Sequence, residues 1–593
     1  MKKISILTLV CGLTCSVHAQ APEAIVVNNV HIASNTQIIF TNGLSVSSSA
    51  KQVSCDGHII IKDTVENEDK ISFLSEAHLE LRGGASFSVT DDLSFKNLTV
   101  QDDATLTVSD GKYLWLTGDV VHNSSEDIVL EASSVTSYAQ LKFDNYSGSG
   151  EVVQHRYFEL GWNLVGSSMQ NSTAGIFGSV GTDGGTVNTQ NLFSWNGQDY
   201  DNVPNNAVPI DDARGYFGFV GVNGIRTSAG VYAFTGTPTT SANLPTLVRG
   251  NVNAAARVAM SNNNTTRGGW NLVANPFTCN LDVLSTSRAN FNAAFYRFNP
   301  TSGNYSTFAP AGTPTGNIVP PLTAFWMQAN GNSSPQFAGG TLTISTHGTV
   351  ASSSNSSPRT NFDRLVLRSA WDSDTAKQDQ TVIAFIEGTT DGFDGDWDAH
   401  KMENSGGYPN IYSTHSNGDL LSINAIPYGP GYSDKKTVPI SFKATQHGSN
   451  YTIRYDDSYM INSYAVYLED KLEQTFTDLN AQDYGFMNDT NMVNRFVLHF
   501  RAGALSIDEP ENLNNASGIT AWVFDNQAYL NAQFNGTAML SLHDVSGKKL
   551  QSDRLTLSKG QRTEWPMRSD LAAGIYLLRV ETAMGSQTIK FTK

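Results

Sequence analysis

The chain has 593 residues, a net charge of -17 and only 16 % charged residues. That acidic balance argues against nucleic acid as a partner, because phosphates need a basic face. The length calls for several domains. Abundant Asn, Ser, Thr and Gly fit an extracellular β protein with many turns.

The chain opens on the basic Met1-Lys2-Lys3, followed by an apolar run from Ile4 to Val17. The run is too short to span a membrane as a helix. Val17-His18-Ala19 puts small residues at the cleavage positions, so residues 1–19 read as a signal peptide for the Sec translocon. A lipoprotein is the competing reading: Cys11 and Cys15 lie in the right zone, but Val10 and Thr14 stand where a small residue is expected. No later stretch has eighteen consecutive apolar residues, so no further membrane-spanning helix is expected. Cleavage leaves Cys55 and Cys279, far apart in sequence. They read as unpaired or buried thiols rather than a disulfide framework.

Residues 20–150 read strand, turn, strand. The segments at 77–89 and 98–108 repeat one theme, a small or polar turn before a short alternating strand. Recurrence at short intervals predicts a β-solenoid whose coils bury their inward residues against each other. A plain β-sandwich is the alternative.

Residues 151–340 form an aromatic-rich region that nearly repeats itself. Gly161-Trp162-Asn163-Leu164-Val165 returns as Gly269-Trp270-Asn271-Leu272-Val273. Leu192-Phe193-Ser194-Trp195 is echoed by Phe295-Tyr296-Arg297-Phe298, and Gly215-Tyr216-Phe217 by Thr323-Ala324-Phe325. Three landmarks in the same order predict two related halves. The aromatic rings suit strand core positions; flat faces left open would instead stack on a glycan.

Residues 341–360, rich in Ser and Thr, read as a linker. Residues 361–503 then carry clear strands, such as Thr381 to Ile386 and Arg495 to Phe500, and predict a β-sandwich. Asp391, Asp394, Asp396 and Asp398, with Gly392 and Gly395 between them, make a candidate Ca²⁺ loop, since that ion takes six to eight oxygens. The alternative is a solvated acidic turn.

No catalytic motif is present: no Gly-x-Ser-x-Gly elbow, zinc helix, Cys-x-x-Cys pair in the mature chain or phosphate loop. Two classes of function remain. One is a non-enzymatic adhesin, binding or structural protein with a glycan or other surface ligand. The other is a secreted polysaccharide-active enzyme, whose paired carboxylates would be invisible in sequence. The absence of any assembled catalytic set favours the first.

Residues 504–593 alternate with period two, broken by Asp544-Val545-Ser546-Gly547, by Gly560 and by Gly585. About seven short strands in about ninety residues predict a small Ig-like sandwich. Three motifs follow in order: Asp544 to Lys549, Leu571 to Val580 and Ile589 to Lys593. Together they resemble the C-terminal type A sorting domain of Bacteroidetes type IX secretion cargo. Asp544, Gly547, Gly574, Tyr576 and Lys590 fall on the family's pattern. Asp508-Glu509-Pro510-Glu511-Asn512 stands where the family often has Tyr-Pro-Asn-Pro. The Trp-Asn-Leu-Val segments, the Tyr-Leu-Glu-Asp-Lys segment at 467–471 and the strand beginning at Arg495 resemble companions of that tail. The resemblance implies passage through the periplasm to the translocon and its sortase, and delivery to the outer-membrane surface or the medium. The fold class expected is therefore all-β and multidomain, a solenoid-like region followed by sandwiches.

Overall fold

The structure is a computed structural model. It describes the strands Ile25–Val27, His31–Ile32, Gln37–Phe40 and Leu44–Val46, and residues 53–63, 65–66, 69, 71–181, 190–195, 200–211, 213–240, 242–243, 270–283, 287–289, 291–312, 318–329, 341–344, 349–350, 363–404, 407–427, 437–456, 464–489, 493–502, 519–524, 527–532, 534–559, 561–572 and 574–593. The expected signal peptide at 1–19, residues 351–360 of the expected linker and the tail's entry at 508–512 lie outside the described residues. Nearly every element is a strand, as the all-β reading requires. The chain divides into two compact units, residues 1–360 with 395–406, and residues 361–394 with 407–593.

The first unit begins with a parallel β-solenoid. The strands Gln37–Phe40, His58–Ile61, His78–Leu81, Asn97–Asp102, Asp119–Ser124 and Asn145–Ser147 lie side by side in one parallel sheet. Each comes from the next coil, and shorter parallel sheets form the other faces. Alternation sends every second side chain inward. Ile38, Ile59, Leu79, Leu98 and Val120 therefore stack as one buried ladder, and Phe40, Ile61, Leu81 and Val100 as another. Each such residue contributes about 1.5–3 kcal/mol by leaving water. The repeated segments at 77–89 and 98–108 are consecutive coils: Leu79 opposes Leu98, and Phe87 opposes Leu106. Parallel pairing from coil to coil excludes the antiparallel sandwich for this region.

His122 occupies the next inward place after Val100 and is fully buried. Its ring nitrogens meet the Tyr146 hydroxyl at 2.7 Å and the Glu126 carbonyl at 2.9 Å. A Cβ on Gly150 would lie 2.6 Å from that ring, so the turn there admits only glycine. On the outer face His58 and His78 stack in register, with ring centroids 4.1 Å apart and planes within 8°. Burial first, then the neighbouring His58, pushes the His78 imidazole down to about 4. Cys55 and Cys279 are buried and form no disulfide; burial pushes the Cys55 thiol up to about 12.

After the solenoid come two four-stranded antiparallel sheets. In the first, Gly161–Val165 pairs with Tyr216–Val220, which pairs with Leu192–Trp195, which pairs with Tyr200–Asn202. In the second, Trp270–Ala274, Ala324–Ala329, Phe291–Asn299 and Asn304–Phe308 follow in the same order. The two halves expected from the sequence are thus two copies of one sheet. The third echo shifts by one residue. Tyr216 opposes Val165 as Phe325 opposes Val273, so Gly215 corresponds to Ala324 and not to Thr323. The segment expected as a linker at 341–360 is in part strand. Thr341–Ile344 and Thr349–Val350 are strands, paired with Ser287–Ala289 and Asn280–Asp282 respectively. β-branched Thr and Ile suit a pleated ladder, which overrides the Ser/Thr-rich look of the segment.

In the second unit, ten strands between Arg364 and Ala502 hydrogen bond into one sheet. Its two edge strands are Thr475–Asp478 and Tyr484–Asn488. They meet where the Thr475 and Tyr484 hydroxyls lie 3.1 Å apart, so the sheet is folded over its own core. The expected sandwich is a single rolled sheet. A fully buried pair closes it. Arg495 donates from Nε and Nη2 to Asp470, at 2.7 Å for the shortest bond. Asp470 also accepts from Tyr484 and from the backbone of Leu472 and Glu473. The rest of this unit is the tail, whose three-stranded and four-stranded sheets share one core, including Leu530, Trp565, Leu540 and Leu578.

Two predictions follow from this packing. Because His78 is depressed in the fold, it contributes stability above its unfolded value near 6.5 that is lost as the pH falls toward about 4. Thermal melts over that window should fall more steeply for the native chain than for His78→Asn. Asn97 holds the same register one coil on, so Asn fits; superimposable pH profiles would refute the assignment. Asp470→Ala strands a buried guanidinium and should cost about 3–5 kcal/mol, read by urea unfolding of the full chain.

Candidate functional site

The residues of the tail's sequence pattern come from three separate strands. The strand Gly536–Asp544 pairs with Ile575–Thr582, which pairs with Gly585–Thr592. Register places Asp544 opposite Tyr576 and Tyr576 opposite Phe591. Lys590 stands opposite Leu577, one step along.

Each of these residues has a local physical role. The exposed Asp544 carboxylate accepts from the backbone N–H of Ser546 and Lys548 and from the Ser546 hydroxyl, at 2.6–3.0 Å. These donors, the Ser546 hydroxyl first, hold its pKa below the usual carboxylate range. Gly547 takes φ +81°, a left-handed value that favours glycine. Gly574 needs no such freedom. Its N–H and C=O pair with the C=O and N–H of Lys593, which ties the last residue to the strand entry. Tyr576 donates to the Ala572 carbonyl at 2.8 Å and stacks on Phe591 at 5.8 Å. The pattern therefore marks one end of one sheet, a compact exposed corner over a buried aromatic pair.

The tail is joined to the rolled sheet before it through its other, three-stranded sheet. Arg562 of the tail donates to Glu469 at 2.5 Å, and Glu469 also meets His499 at 2.9 Å. His499 first, then Arg562, overcomes the cost of burial and holds the Glu469 carboxyl down at about 2.

The Asp-rich loop does not gather its carboxylates. Asp394 turns back to accept from the backbone N–H and hydroxyl of Thr390. Asp391 and Asp396 are exposed and Asp398 is buried. The boundary between the two compact units falls just after Asp394. Among the described residues no three His, Cys, Asp or Glu side chains are grouped to hold a metal ion. The short-range Asp–Thr turn is the signal that the spacing of the carboxylates conceals.

The aromatic region divides by copy. Trp270, Tyr296 and Trp326 of the second sheet are at most 1 % exposed, so they are core. Their counterparts Trp162, Phe193 and Phe217 are half-buried, and Trp162 stacks face to face on Phe217 at 4.8 Å. In this copy the rings lie against one another, with Phe219 at 5.2 Å from Trp162.

A polar cluster unmarked by any motif lies where the solenoid's last coil meets the second sheet. The Tyr138 hydroxyl donates to Asn280 Oδ1 at 2.8 Å. The Arg156 guanidinium lies over the Tyr138 ring at 4.7 Å, and its Nη2 reaches the Thr323 hydroxyl at 3.4 Å. Arg297 donates to the Ile318 carbonyl at 2.9 Å. Burial, reinforced by the charge of Arg297, holds Arg156 down to about 10; burial raises Tyr138 and lowers Arg297.

Residues 351–500 match a domain of unknown function, DUF8693. No curated protein matches the chain. Among solved structures, dimeric latent PorU from Porphyromonas gingivalis is similar at 12 % identity over 43 % of this chain, with a TM-score of 0.12. A Salmonella alpha-2-macroglobulin mutant is similar at 12 % identity over 78 % of this chain, with a TM-score of 0.11. The chain spans 30 % and 25 % of those two chains. Scores this low carry no argument about fold or activity.

The buried ring under the exposed corner yields a prediction. Tyr576→Ala removes a stacked ring and its hydrogen bond, and should destabilise the tail by about 3–5 kcal/mol. Faster amide exchange confined to 536–592 would be the readout; unchanged protection there would contradict it.

Proposed function

We propose that the chain is a non-enzymatic secreted or surface-displayed protein whose last module is an address for type IX export. One observation carries this reading. Residues spread over the last fifty positions of the sequence gather at one end of one sheet, with the final residue paired back to Gly574. A compact corner of that kind suits recognition by a receptor, because its backbone is pinned before any partner arrives. The order of events is Sec-dependent export under the signal peptide, folding in the periplasm, and capture of the tail by the translocon and its sortase. Delivery ends at the cell surface or in the medium. The upstream sheets and solenoid are the delivered body, with a glycan or other surface ligand as its target. The tail has its own core of residues between Ile519 and Phe591, which supports treating it as a separable address.

Deleting residues 505–593 should leave the upstream part folded and held in the periplasm. Fractionation of the producing cells reads this directly. Surface or extracellular display of the truncated chain at native levels would refute the proposal.

A further inference from the structure

The cluster around Arg156 and Arg297 holds buried donors that the chain leaves unbonded. Arg156 is 7 % exposed, and its Nη1 has no hydrogen-bond partner. Asn280 is fully buried, and its Nδ2 likewise has none, although its oxygen is taken by Tyr138. Neither Arg156 nor Arg297 forms an ion pair among the described residues. An isolated buried charge is costly, and proteins normally pair it. Here two cations sit near one phenol, close enough that each registers in the titration of Tyr138. Every idle polar atom in the set is a donor.

The surrounding sequence points the same way. The 150 residues from 213 to 362 hold eight arginines, no lysine and a single acid, Asp282, in a chain of net charge -17. Guanidinium is the group that meets a planar or tetrahedral oxyanion with two parallel donors. Asp282 is the nearest acid, two residues along the strand from Asn280, but among the described residues no carboxylate is paired with either guanidinium, which leaves the counter-charge to come from outside. Arg297 is half-buried.

We propose that Arg156, Arg297 and Asn280 form a receptor site for one oxyanion, a carboxylate or sulfate group, held above Tyr138. The deep side is Arg156 Nη1 with Asn280 Nδ2; Arg297 closes on the ligand from the solvent side. The site is independent of the export reading, since it lies outside the tail.

Isothermal titration of the full chain in chloride buffer tests it, with sodium sulfate and sodium glucuronate as separate probes at matched ionic strength. About one oxyanion should bind per chain. Heat with glucuronate but not sulfate assigns a carboxylate-bearing saccharide; the reverse assigns a sulfate group. Arg297→Gln, at a half-exposed position, should weaken binding at least tenfold. The same variant should melt no lower than the native chain in chloride, because it removes one of two like charges. Binding unchanged in Arg297→Gln, or no saturable heat with either probe, would overturn the proposal. Arg297→Lys keeps the charge and should bind more weakly than the native chain but better than Arg297→Gln; equal loss in both would count against a charge-receiving site.

Discussion

The second unit depends on one buried pair, Asp470 with Arg495. Both side chains are at most 1 % exposed, and the carboxylate also takes a tyrosine hydroxyl and two backbone N–H groups. A buried pair adds little stability over an apolar substitute, but losing one partner is expensive. It therefore acts as a registration device. It ties the strand Tyr464–Asp470 to the turn before Phe496–Ala502 and, through Tyr484, to the far edge of the sheet. Side chains alternate along a strand, so Glu469 points away from that core. It faces His499 and Arg562 of the tail. A slip of one residue would exchange the two acids, exposing one charge and burying the other without its partners. The core pair and the contact with the tail are thus fixed by the same register.

In the first unit the constraint is reciprocity between two copies of one sheet. Gly215 N–H donates to Leu272 and Ala274 N–H to Ala213, while Gly166 N–H donates to Leu322. Each copy thus borrows the end of the other's first strand. Ala213 and Leu322 are equivalent positions, and both take φ +58°, unusual for residues with a Cβ. The same strain at both places marks it as part of the junction. At the centre the equivalent residues Gly166 and Ala274 touch. A Cβ on Gly166 would fall 2.1 Å from that of Ala274, so the pair must include a glycine.

Much of this architecture was legible because it rests on local period. Inward ladders such as Ile59, Leu79 and Leu98 show as alternation, and duplicated landmarks show as text. What stayed hidden depends on closure in three dimensions. Nothing in the strand at 475–478 announces that it meets the strand at 484–488 to roll the sheet. Thr341–Ile344 reads as linker until a partner strand is supplied. The four carboxylates at 391–398 show their spacing in the sequence but not their orientation. Asp394 spends its oxygens on Thr390 four residues earlier. The tail residues lay between these cases. Gly547 was legible from the turn it makes, whereas the Gly574–Lys593 pairing brings together ends that the sequence separates.

The arginine cluster went unseen for another reason, the averaging of charge. A net -17 over 593 residues describes an acidic molecule. Yet a segment of 150 residues within it carries a net +7, from eight arginines against one acid. Screening confines electrostatic influence to roughly 8–10 Å at physiological salt. A buried guanidinium therefore responds to its neighbours and not to the total. The argument against nucleic acid keeps its force, since that partner needs a broad basic face. A single recessed donor set asks only for one oxyanion. The choice of arginine over lysine fits the same demand, because a buried lysine sheds its proton readily and a buried arginine keeps its charge. What the average erased is a short-range feature, and short range is where burial makes charge count.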